Sequence, residues 1–186
     1  MISKRSTMLA VAVLSAFGVA VLGFGSGAAF AHEHRTVGPA NQYSLVVGWV
    51  NEPAFAGLPN AVDIYITRNA DNKPIATDKG DAVALEVEVE LRAGEDQKAA
   101  VVAAMKLASK PELVMHTDNR YTAWFKPVTP GAYAFHITGT ISDASNPKAG
   151  PVTIDETFVC GKGSKGHHAF VCLTEPQVFA GTRKKS

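Results

Sequence analysis

Val83-Ala84-Leu85-Glu86-Val87-Glu88-Val89-Glu90-Leu91-Arg92 is the stretch whose reading decides the fold. Val83, Leu85, Val87, Val89 and Leu91 alternate with Ala84, Glu86, Glu88, Glu90 and Arg92. Wound into a helix, these residues would scatter the valines around its circumference. As a strand they share one face and leave the glutamates on the other, the pattern of an antiparallel strand laid on a core. Glu, Leu and Ala favour helix by propensity, but the period of two outweighs that preference.

The stretches on either side repeat the pattern. Residues 43–50 put Tyr43, Leu45, Val47 and Trp49 on one face, and residues 61–67 set Val62, Ile64 and Ile66 against Asp63, Tyr65 and Thr67. Residues 132–142 carry Tyr133, Phe135, Ile137 and Ile141 on one face and Ala134, His136, Thr138 and Thr140 on the other. Further strands are expected at 120–126 and 152–160, with a short return at 169–173 and an extended lead-in at 35–42. Residues 97–109 have the Ala, Met, Lys and Leu content of a helix, but their place between strands favours another strand, ended by Pro111. Turn residues separate these runs at 51–60, 69–72, 127–131, 142–150 and 161–168. Seven or eight short strands so spaced predict an all-β fold, an antiparallel β-sandwich of the immunoglobulin-like class.

The N-terminus sets the compartment. A Lys4-Arg5 pair precedes an apolar run over 8–24, which relaxes into Gly25-Ser26-Gly27-Ala28 and then Ala29-Phe30-Ala31. A charged start, an apolar middle and small residues at −3 and −1 are the layout of a secretory signal. Residues 1–31 are read as a signal peptide cut after Ala31, and residues 32–186 as one exported domain, periplasmic or extracellular. The rival reading is an uncleaved anchor, because the apolar run approaches the roughly 17–25 residues a spanning helix needs. Contact with the membrane is expected only in that case.

Cleavage leaves 155 of the 186 residues, enough for one substantial core. That chain carries 16 basic against 17 acidic residues, a net charge of −1 with histidines neutral. Such a balance excludes electrostatic steering to nucleic acid. The terminal Arg183-Lys184-Lys185 reads as a solvated tail. Cys160 and Cys172 are the two cysteines, and in an exported chain they are expected to form a disulfide across a Gly/Lys-rich loop. His167 and His168 within that loop invite a zinc site, but the usual ligand spacings are missing. A blue-copper site would also need a weak axial ligand, and no methionine follows Cys160.

The candidate chemistry lies at the new terminus, His32-Glu33-His34. The freed amine, the amide nitrogens of Glu33 and His34 and the His34 imidazole form a square-planar nitrogen set suited to Cu(II) or Ni(II). Alternatively, His32 binds through amine and ring together, with a third ligand supplied by the fold. His136, on the polar face of its strand, and His116, near a turn, are where that ligand is sought. The two modes compete for one amine, and a loose polar terminus is the third alternative. No nucleophile elbow, phosphate loop or His-Glu-x-x-His is present, so a non-catalytic protein is expected. In the 51–60 loop, Phe55 and Leu58 either meet a partner of the cell envelope or tuck over the end of the sandwich.

At Pro130-Gly131-Ala132-Tyr133-Ala134-Phe135 the chain resembles the small exported immunoglobulin-like domains of the CopC and YtkA copper-resistance type. In those domains a Pro-Gly-x-Tyr turn leads into a core strand and the tyrosine pins the corner. The resemblance implies the sandwich fold and a copper-handling accessory role, with His32 binding Cu(II) through amine and imidazole. The chain departs from that type in having no Asp-x-His pair, and Met105 and Met115 are the only methionines after the leader. The expected function is an exported accessory protein with a copper site at its N-terminus; the alternative is a protein-interaction module without metal.

Overall fold

The computed structural model describes residues 32–161 and 169–176. Residues 1–31, expected to be a signal peptide, His167 and His168, and the basic C-terminal residues lie outside the described residues. The fold is all-β, two antiparallel sheets facing one another. The first holds, in spatial order, β1 (His32–Val37), β2 (Tyr43–Trp49), β3 (Asn60–Arg68), β8 (Arg120–Phe125) and β7 (Glu112–Leu113), with β4 (Lys73–Pro74) also paired to β3. The second runs β10 (Val152–Val159), β9 (Ala132–Ser142), β5 (Ala82–Arg92) and β6 (Val101–Lys106).

The deciding stretch is β5, at the heart of the second sheet. It pairs with β9 over its whole length, from Ala82 opposite Ser142 to Arg92 opposite Ala132. Leu85, Val87 and Val89 point into the core, as the alternation requires. Gly139 faces Leu85 in this ladder with φ at 138°, and a Cβ there would lie 2.0 Å from the Ala84 carbonyl oxygen. Only glycine allows the two backbones to approach so closely.

The core between the sheets centres on Trp49. Its ring meets Phe135 edge-on at 4.8 Å, and Phe135 stacks on Phe170 at 4.8 Å. Trp49 Nε1 donates to the Val171 carbonyl at 2.9 Å, satisfying the one polar atom of a fully buried indole. Cys160 and Cys172 are joined by a disulfide. It holds the segment after β10 across one end of the sandwich. Leu173 bridges Gly131 there, and Thr174 exchanges hydrogen bonds with the backbone of Ala54 and Ala56. The tyrosine corner forms as expected, with the Tyr133 hydroxyl donating to the Thr129 carbonyl at 3.0 Å.

Residues 101–106 are a strand, as their position implied. Two expectations are corrected. The described chain has ten strands rather than seven or eight, because β1 pairs as a full strand and β4 and β7 are two-residue pairings too short to leave a period. Residues 169–173 give a single bridge, Leu173 to Gly131, rather than a strand, because the disulfide holds them across loops, with Thr174 bridging Phe55 beyond.

Candidate metal centre at His32

β1 alternates, but its inward residues are not all apolar. Glu33, Arg35 and Val37 face the core side, while His32, His34 and Thr36 face out. Glu33 is fully buried, and its carboxylate accepts from Arg35 Nε at 2.8 Å. Arg35 also reaches Glu156 on β10 at 3.1 Å and lies 4.4 Å over the Phe158 ring. This cross-sheet network gives the inward charges partners and fixes β1 on the sandwich. The Glu33 carboxylate therefore points away from both histidines.

On the outer face His32 is opposite Gly48, and Gly48 is opposite Asp63. The missing side chain at Gly48 leaves a gap in the row, and the His32 ring reaches across it. Its Nε2 stands 3.2 Å from Asp63 Oδ2, and its edge meets the Tyr65 ring at 5.8 Å. Asp63 is only 1% exposed although it is on the outer face. Arg120 grips the same carboxylate through Nε at 2.8 Å and Nη2 at 2.9 Å. Burial alone would raise the Asp63 carboxyl, but the bonds from His32 and Arg120 outweigh it and hold the group below 3.8. An ionised carboxylate only accepts, so in the neutral His32 ring Nε2 carries the proton and Nδ1 keeps its lone pair.

Glu52, in the loop after β2, belongs to the same neighbourhood. Burial pushes its carboxyl up, while the Val171 backbone and then the charge of His32 draw it down. Its Oε1 is enclosed and has no hydrogen-bond partner. Glu52 is near enough for the charge of His32 to lower its carboxyl, and imidazole nitrogen with carboxylate oxygen are donor types that Cu(II) takes.

The other candidates are placed as follows. His34 is exposed on the outer face of β1, opposite Val46. His136 is on the outer face of the other sheet, between the buried Phe135 and Ile137, so it does not meet His32. There its Nε2 is 2.8 Å from Asp155 Oδ1, and its ligand atoms lie within 4.8 Å of those of Glu88 and Glu90. His116 is exposed in the turn between β7 and β8, with φ at 62°. Phe55 is half-buried and bridged to Thr174, while Leu58 is 52% exposed. Asp63 and Glu52 escaped the reading of the sequence. The available signals were an acid in the apolar run Ala61-Val62-Asp63-Ile64 and a glycine inside a strand, which marks a close approach.

Compared with protein-family models, with curated proteins and with solved structures, the chain finds no match in any of the three.

Proposed function

We propose that this chain is an exported, non-catalytic accessory protein that holds one Cu(II) at the terminus freed before His32. The amine and Nδ1 of His32 would be the paired nitrogen donors, with Glu52, whose carboxyl the charge of His32 lowers, as the carboxylate donor. Copper so bound supplies a square-planar Lewis-acid or redox centre. The observation that carries this reading is the contact between His32 Nε2 and Asp63. A carboxylate on the far ring nitrogen of a ligating histidine fixes its tautomer and orientation, and Asp63, itself held by Arg120, does that here. Asp63 is thus a positioning residue.

The extended backbone of β1 favours this mode over the three-residue chelate. Successive amides in a strand point in opposite directions, and one of every two bonds into the β1–β2 ladder. Glu33 and His34 could not turn both amide nitrogens to one ion without unzipping that end. The test is Cu(II) titration of the mature protein, followed by calorimetry and electron paramagnetic resonance, with a free and an acetylated terminus. One Cu(II) per chain is expected for the free form and none for the acetylated form. Equal uptake by both would overturn the assignment, as would an intact mass that does not start at His32.

A further inference from the structure

We infer that the open side of the sandwich, between β6 and the end of β8, binds a short-chain fatty acid. Its alkyl chain lies in the cleft between the sheets and its carboxylate meets Lys126. The inference is independent of the copper reading.

The cleft follows from register. Val89 and Leu91 face inward on β5, so Met105 and Ala103, which oppose them on β6, face inward as well. All six residues of β6 are nevertheless exposed, Met105 by 51%, so the first sheet stops short of covering that strand. What it leaves open is an apolar cleft of about 240 Å³. Leu91, Ala103 and Met105 of the second sheet line it, with Phe125 and Val128 at the end of the first. Its walls are held in place by the fold itself. The Pro127 carbonyl accepts from Gly57 N–H at 2.8 Å, and the Thr129 carbonyl from the Tyr133 hydroxyl at 3.0 Å. A preformed apolar cleft with few polar groups is the usual build of a small-molecule site. This one is smaller than the roughly 300 Å³ at which such sites begin, which selects a short chain.

Charge selects the head group. Lys126 is the one charged residue lining the cleft; it is exposed and has no ion pair or hydrogen bond among the described residues. The neighbouring charges point elsewhere. Glu88, Glu90 and Arg92 are on the outer face of β5, where Arg92 holds Glu90, and Lys106 pairs with Glu86. Glu112 opposes Thr122, which alternates with the buried Tyr121 and Ala123, so it also faces out. A lone ammonium beside an apolar cleft complements an alkyl carboxylate. An alkyl alcohol would leave that ammonium unpaired, and an alkylammonium would set like charges together.

The test is calorimetry of the mature protein with butanoate, hexanoate and octanoate, and with octan-1-ol as the uncharged control. Chelator is present throughout, so that no metal can hold a carboxylate. One octanoate per chain is expected, and each methylene buried should tighten binding about fourfold. Lys126→Gln should weaken octanoate by about two- to fivefold, the range of an exposed ion pair, and leave octan-1-ol unchanged. Ala103→Phe fills the cleft and should abolish uptake of both. Should that variant fail to fold, Val128→Asp, at a side chain 69% exposed, places a like charge at the mouth and should weaken octanoate at least about tenfold. The absence of saturable octanoate uptake overturns the inference. So does an affinity that is flat with chain length, or one that Lys126→Gln lowers no more for octanoate than for octan-1-ol. Binding that Ala103→Phe and Val128→Asp both leave intact overturns it too.

Discussion

His32 and Asp63 belong to strands separated by a third, and their side chains meet over Gly48 at 3.2 Å. The contact depends on the residue between them having no side chain. Gly48→Val would fit the pleat of a strand but fill the gap the imidazole crosses. The expected outcome is a chain that folds and whose Cu(II) affinity falls about 10–100-fold, the usual cost of losing a partner that orients a ligand. Unaltered affinity, measured by titration, would show that Asp63 does not position the ring.

Asp63→Asn separates positioning from stability through pH. The carboxyl is held below 3.8 in the fold, because the bonds from His32 and Arg120 outweigh the effect of burial. A depressed carboxyl contributes stability that is complete above its unfolded value and lost as pH falls through its folded value. The variant should thus be less stable than the parent at neutral pH, by about 1–3 kcal/mol for a charged hydrogen bond. That gap should close below 3.8 as the parent's own carboxylate becomes protonated. Denaturant melts at neutral pH and in acid below the ordinary aspartate range would check this; a gap that widens in acid contradicts it.

The two histidines of β1 make opposite predictions. Both face outward, but only His32 has a carboxylate on its ring within reach. His34→Ala should leave Cu(II) affinity within about threefold, and His32→Ala should lower it by more than about 100-fold, beyond the loss of an orienting partner alone. The reverse order, read by competition titration, would restore the three-residue chelate and imply that the first residues of β1 unzip from β2 to form it.

These side chains show what the sequence could and could not reveal. Val83 to Leu91 were legible because one wet and one dry face leave a period that no other element has. β1 was hidden because Glu33 and Arg35 face inward as a paired charge, so its buried face looks polar. Asp63 read as an ordinary outward acid, since its burial comes from His32 and Arg120, which lie 31 and 57 residues away along the chain. Partners across strands follow from register, and register follows from the whole sheet. The disulfide was legible because two cysteines have few alternatives once the chain is read as exported. Glu52 was obscured by lying in a loop, where only tertiary packing encloses an oxygen.

The last prediction concerns that disulfide and links the end of the sandwich to the site. Cys160–Cys172 closes a loop across a separation of 12 residues, which the chain-entropy model values at about 3 kcal/mol. For a domain of this size that corresponds to a drop in Tm of roughly 6–12 °C in a Cys160→Ser, Cys172→Ser variant. The same segment supplies the carbonyl of Val171 to Trp49 and backbone contacts to Ala54 and Ala56, on either side of Glu52. Freeing it should expose Trp49 and release the loop that holds the Glu52 carboxylate near His32. Two readouts therefore move together: Trp emission shifts to the red on reduction, and Cu(II) affinity falls in the variant at a temperature where it is still folded. If stability falls while affinity holds, Glu52 is not part of the centre, and the amine and ring of His32 carry the binding without it.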